Sequence, residues 1–240
     1  VWAWSAFDHT ITSSPPDVNG LDINRHLLAF PDDWTHSNAI VYTADGNLLL
    51  SIRHQSWIIK INYANGTGEG NILWRLGQEG DFTLLGGDST QWFYAQHYPN
   101  TLSSSGSQIT LAVWDNGNLR IEPDGTTACG PTATAPACYS RATIFQIDES
   151  THLANLLWQD LPGFYSLWGG SIGTLPNGDV EFDMTSPVNQ AIPVNQSTSQ
   201  IMEVTQTDSP QVVWQLNISG ANAYRAYRIP SLYPGVTWQK

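Results

Sequence analysis

Asn38-Ala-Ile-Val-Tyr42, Asp45-Gly46-Asn47, Leu48-Leu-Leu-Ser-Ile52, Trp57-Ile-Ile-Lys-Ile61 and Ile72-Leu-Trp74-Arg-Leu76 follow one another along the chain. Each apolar run is short, rich in β-branched and aromatic residues, and bounded by turn residues, so each reads as a strand. Asp45-Gly46 supplies a tight hairpin between the first two. The unit is therefore strand, Asx-Gly turn, two further strands, and a closing aliphatic-Trp strand.

The unit recurs twice. Ser105-Gly106, Ile109–Trp114, Ala142–Ile147 and Leu156-Leu-Trp158 form a second copy. Gly170–Thr174, Asn177-Gly178, Val180–Phe182, Gln200–Val204 and Val212–Leu216 form a third. Four strands per unit with a hairpin at the start is the pattern of propeller blades, and it outweighs a β-sandwich or solenoid. The fold expected is all-β: residues 1–240 are a single β-propeller domain or the C-terminal portion of one. Val1-Trp-Ala-Trp4 reads as the closing strand of a preceding blade and Ala223–Ile229 as the first strand of a following one. The expectation is about three whole blades plus two partial ones. Residues 115–139 read as a loop insertion within the second blade. A half-propeller leaves long sheet edges uncovered. The expected remedy is an N-terminal half-propeller, present as a separate chain or as a second copy.

The chain has 240 residues, 41% hydrophobic and only 12% charged, with a net charge of −12. Lys60 and Lys240 are its only lysines. Such a surface argues against nucleic acid and against anionic membranes as partners. No apolar run is long enough to span a bilayer. Cys129 and Cys138, the only cysteines, bracket a Gly/Pro/Thr/Ala loop and are expected to form a local disulfide. The sequons at Asn65, Asn195 and Asn217 are glycosylation candidates and, with the cysteine pair, point to a secreted, extracellular glycoprotein.

Three segments carry chemistry: Asp33-Trp-Thr-His36-Ser-Asn38, Ser51-Ile-Arg53-His54-Gln55-Ser56 and Tyr94-Ala-Gln96-His97. His36 and Asn38 are two apart at the start of an inner strand, so period two places both on one face. His36 beside Trp34 also reads as a hydrogen-bonded structural residue. Arg53 ends an apolar run and must meet solvent or an anion; its fork suits sulfate or phosphate oxygens. The alternative there is a surface salt bridge. His54 is expected to face the other way. His97, in an aromatic-rich approach, suits a strand entry. No spacing typical of zinc, calcium or nucleotide sites occurs, so no cofactor is expected; a structural ion in the channel is left open.

In this order, these segments resemble the arylsulfotransferase (aryl-sulfate sulfotransferase) family. The resemblance is carried by Ala6-Phe-Asp-His9, Asp33–Asn38, Leu50–Ser56, Ile72-Leu-Trp-Arg-Leu-Gly77 with Gly80-Asp-Phe82, Gln96-His97, Trp114-Asp-Asn-Gly117, Tyr139-Ser-Arg141 and Leu175-Pro-Asn-Gly178. It implies a six-bladed propeller and a transferase that needs no nucleotide sulfate donor. A sulfuryl group would pass from an aryl sulfate donor to a phenol acceptor through a sulfo-histidine. By motif that histidine is His97, with His36, Asn38 and Arg53 as oxyanion ligands. The sequons suggest a secreted fungal-type member. The chain has Tyr98 where the family usually carries an acid, and His9 does not match the motif of the family's further channel histidine. The competing reading is a non-catalytic secreted propeller that binds an anion, glycan or protein partner.

Overall fold

Strands dominate the computed structural model, which describes residues 1–12, 19–25, 32–126, 138–188 and 198–229. The first sheet is an antiparallel meander of β1 (Ser37–Tyr42), β2 (Leu48–Ile52), β3 (Trp57–Ile61) and β4 (Ile72–Leu76). The short β5 (Thr83–Leu84) leads on and pairs parallel with the edge of the second sheet. That sheet runs in order through β6 (His97–Ser105), β7 (Gln108–Asp115), β8 (Arg141–Asp148) and β9 (Leu153–Asp160). After β10 (Tyr165–Ser166) comes the third sheet: β11 (Ser171–Thr174), β12 (Val180–Thr185), β14 (Thr198–Val204) and β15 (Val212–Ser219). β13 (Pro187–Val188) pairs with β10 apart from it. The three recurring units of the sequence are thus three four-stranded antiparallel meanders.

Why the strands read as nearly continuous apolar runs is clear from the core. Leu49 and Ile58 face one hydrophobic cluster while Leu50, Ile52, Ile59 and Ile61 face another. In β7, Leu111 and Val113 face the cluster shared with the first sheet, and Ala112 and Trp114 face the one shared with the third. Period two therefore fills both faces: the second sheet lies between the other two, and the first sheet's other face is covered by Trp2, Trp4, Leu21 and Trp34. The first strands of the three sheets lie side by side, β1 against β6 and β6 against β11. Asn38 Nδ2 donates to the Gln96 carbonyl (2.7 Å) and Asn100 Nδ2 to that of Ile172 (3.4 Å).

Two expected terminal strands are absent among the described residues. Residues 1–4 and 223–229 pair with no strand. The first segment is held instead by indole N–H groups: Trp2 donates to Gly68 O (2.9 Å) and Trp4 to Gly70 O (2.8 Å). The second crosses the third sheet, where Thr185 Oγ1 donates to Ala223 O (2.7 Å), Gly170 N to Tyr224 O (3.0 Å) and Ala226 N to Ser171 Oγ (3.0 Å). Two side-chain hydroxyls and one backbone N–H, not a backbone ladder, take up its polar groups. Residues 116–140 connect β7 to β8. Within that connection Cys138 is buried and disulfide-bonded. Cys129 and Asn195 lie outside the described residues.

Candidate active site

The dipeptide Gln96-His97 opens the second sheet and splits its two side chains between opposite neighbours. Gln96 turns to the first sheet, where its Nε2 donates to Trp57 O (2.9 Å) and Ser51 Oγ (3.1 Å). His97 turns the other way and is 1% exposed. Its Nδ1 is 2.7 Å from Asn116 Oδ1. Asn116 spends its amide hydrogens on Ser166 O (2.7 Å) and Gly169 O (3.1 Å), so its oxygen can only accept from His97. Nδ1 therefore carries the proton. Nε2 is the lone-pair nitrogen, and it accepts from Gly169 N–H at 3.2 Å. Burial, and then the positive charge of Arg53, push the imidazole down to about 3. His97 is a neutral base of fixed tautomer, with its nucleophilic nitrogen on the side away from Asn116.

The motif Trp114-Asp-Asn-Gly117, paired with Tyr139-Ser-Arg141, builds the support. Asp115 is fully buried; its Oδ2 meets Arg120 Nη2 (2.9 Å) and Arg141 Nε (2.7 Å), and its Oδ1 accepts from Tyr94 N–H (2.9 Å). Both arginines also donate to Trp92 O, gripping the approach to His97. Gly117 has φ +79, and a Cβ there would stand 2.1 Å from Tyr139 O. Ser140 Oγ donates to Asn116 O (2.7 Å), completing the turn that presents Asn116.

Arg53 is not a surface salt bridge. It is 6% exposed, and its Nη2 donates to Leu167 O (2.9 Å) while Nη1 donates to His54 Nε2 (2.9 Å). Its Nε is buried without a protein partner. Burial lowers its pKa, against the pull of Tyr165 and Tyr224. The expected placement of His54 on the far side is wrong. Arg53–Gln55 form a 3-10 turn closed by Ser56 at φ +51, so strand alternation stops at Ile52 and His54 returns to the cluster. There its ring stacks on His36 at 4.5 Å.

His36 does not begin the strand either. It sits at φ +45 ahead of β1, with Nδ1 bonded to Asp33 Oδ2, and it is half-exposed. A register shift between Ser37 and Ala39 breaks the expected period-two alignment with Asn38. Asn38 donates to Gln96 O and leaves Oδ1 buried without a partner. Burial pushes Asp33 up, but the bond and charge of His36, with His54, hold it below the ordinary aspartate range.

Asp33, His36 and His54 offer donor atoms within 4.8 Å of one another, a spacing that suits a metal ion. The hydrogen bonds oppose one. Arg53 can only donate, so His54 Nε2 is the acceptor and Nδ1 holds the proton, directed at Asp33 O. The nitrogen facing the cluster has no lone pair to give.

Sequence reasoning assigned no role to Asn116, Gly169, Tyr224 or Arg225. Tyr224 meets His97 edge-on at 5.7 Å. Arg225 lies over the Tyr98 ring (4.9 Å) and over that of Tyr224 (5.3 Å), and its Nη2 donates to Asn38 O. Its Nε is a second buried guanidinium donor without a partner. Arg53 and Arg225 both depress His97, so two fixed positive charges act on one imidazole. Asn116 was legible as part of Asp-Asn-Gly. Arg225 was not, because 187 residues separate it from Asn38.

The all-β scaffold thus presents a buried neutral imidazole within the electrostatic reach of two arginines, a combination that suits an anionic ligand. The profile of the arylsulfotransferase (ASST) family matches residues 22–228, and the chain belongs to that family. No curated protein matches it.

Proposed function

We propose that this chain transfers a sulfuryl group from an aryl sulfate to a phenol through a covalent intermediate on His97, with no nucleotide sulfate donor. Family membership supports aryl sulfotransferase activity. The observation that carries the finer reading is the His97 tautomer: Nε2 holds its lone pair, and Asn116 Oδ1 is placed to stabilise the Nδ1–H that becomes more acidic once Nε2 is sulfated. In the first step the Nε2–S bond forms as the S–O(aryl) bond breaks and the phenolate leaves. In the second the acceptor phenol oxygen bonds to sulfur, its proton is lost, and the N–S bond breaks. Fixed donors suit a loose transition state with charge on the peripheral oxygens. Arg53 and Arg225 supply charge, Asn38 and Gly169 N–H supply directed contacts, and the His36–Asp33 pair serves as proton carrier for the phenol.

We also read the three stacked sheets as blades of a six-bladed propeller, completed by a separate N-terminal half or a second copy. The chain is read as secreted, with Cys129 paired to Cys138. One observation favours the rival, a non-catalytic anion-binding propeller: His97 is almost wholly covered, and its Nε2 is already engaged by Gly169. Steady-state transfer from 4-nitrophenyl sulfate to an added phenol separates the two. The sulfotransferase reading expects phenol-dependent release of nitrophenol that His97→Ala abolishes. No transfer by the wild-type chain, assayed with its completing half, would establish the rival. Release without a sulfated phenol product would mean a hydrolase.

A further inference from the structure

We propose that Asn65 is an N-glycosylation site whose first N-acetylglucosamine docks on an aromatic shelf made by Trp2, Tyr42 and Tyr63. The proposal rests on the reading of the chain as secreted, and it is independent of the transfer chemistry.

Tyr63-Ala64-Asn65-Gly66-Thr67 is a turn following β3, with Ala64, Asn65 and Gly66 at φ +43, +57 and +90. It is bolted to the Asp45-Gly46-Asn47 hairpin. Asn47 Oδ1 accepts from the N–H groups of Tyr63 and Ala64 (3.1 Å each), and Asn65 N donates to Gly46 O (2.9 Å). Asn65 and Thr67 are exposed at its tip. Tyr42 donates its hydroxyl hydrogen to Asn65 Oδ1, which leaves Nδ2, the atom that takes the sugar. Nδ2 lies over Gly46, where an added Cβ would come within 2.6 Å of it. Glycine at 46, required by φ +81, also leaves room for the Asn65 side chain to lie there.

Around this amide the aromatic rings are already fixed. Trp2 meets Tyr63 edge-on at 4.9 Å and is tied by its indole to Gly68 O; Tyr42 meets Tyr63 at 6.4 Å. With Leu48 they line an open groove of about 620 Å³ beside Asn65. Tyr42 is 60% exposed, so its ring can be reached by a group carried on Asn65. A pyranose presents its C–H groups to such rings, and a tethered sugar meets them at small entropic cost. Asn217 offers none of this. It lies on β15, its Oδ1 accepts from Gln215, and the residue two before it is that glutamine, where Asn65 has Tyr63.

In the modification, Asn65 Nδ2 bonds to the anomeric carbon of a lipid-diphosphate-linked oligosaccharide supplied by the secretory host. The carbon–oxygen bond to the diphosphate breaks, and Nδ2 gives up one proton. Transfer precedes folding, so the turn's contribution is to hold the attached sugar once folded.

The test uses the 240-residue chain secreted from a eukaryotic host, trimmed to single N-acetylglucosamines, against the same chain from a bacterial periplasm. Glycopeptide mapping is expected to find Asn65 occupied. The trimmed form is expected to melt about 2–4 °C higher, and Tyr63→Ala is expected to erase most of that difference. An unmodified Asn65 would overturn the proposal. So would equal melting of the two forms, or a difference that Tyr63→Ala leaves intact.

Discussion

His97 concentrates the argument at the residue scale, because its neighbours decide its chemistry before any substrate arrives. Asn116 fixes the tautomer, so Asn116→Ala should lower kcat about tenfold to a hundredfold, the usual effect of losing such a partner, with KM nearly unchanged. Steady-state kinetics checks this. Arg53 is placed by two donor bonds in a buried setting, so Arg53→Lys, which lacks the fork, should fail to restore transfer lost in Arg53→Ala. Stability carries a second signature. His97 is pushed down to about 3 from 6.5, so over that interval only the unfolded chain binds its proton. Its contribution is complete above pH 6.5 and is lost as pH falls towards 3. Asp183, raised to about 6 from 3.8 by burial, runs oppositely: its contribution is complete below 3.8 and is lost as pH rises through 6. Each group changes stability by at most about 1.4 kcal/mol per pH unit. Denaturant unfolding across this range should show His97→Gln flattening the acid-side loss and Asp183→Asn steepening the net rise in stability with pH.

At the element scale the strands of the three units and their Gly-containing hairpins were legible; the backbone reversals at His36 and Ser56 and the non-strand end segments were not. Leu48–Ile52 and Trp57–Ile61 have the composition of strands buried on both faces, and they occupy those bounds in the structure. His54 was misplaced because nothing in Arg53-His-Gln announces a 3-10 turn, whose left-handed Ser56 reverses the side-chain direction. His36 was misplaced for the same kind of reason, a backbone at φ +45 that period two does not anticipate. The connection between β7 and β8 matters most for stability. Asp115 bridges two buried arginines, so Asp115→Ala should cost about 3–5 kcal/mol by leaving both without a carboxylate partner, read by chemical denaturation. Gly117→Ala meets both a positive φ and a carbonyl at 2.1 Å. It should destabilise the same turn and, by shifting Asn116, reduce transfer beyond its effect on folding.

The whole molecule explains why the site was only half visible in sequence. His36, Asn38, Arg53 and His97 come from the first two units and could be gathered from their order. Gly169 reaches His97 from the connection that enters the third sheet, and Tyr224–Arg225 from the later segment that crosses that sheet and returns to β1. No local pattern carries those contacts. Nε2 already accepts from Gly169 N–H, so a donor that bonds to it must displace that contact. The measurement that tests the account most directly is peptide mapping of the chain quenched after incubation with an aryl sulfate and no acceptor. The account predicts one added sulfuryl group on His97, discharged when a phenol is supplied and absent in His97→Ala. A chain that turns over the donor with His97 unmodified throughout, or with the label on another residue, would contradict it.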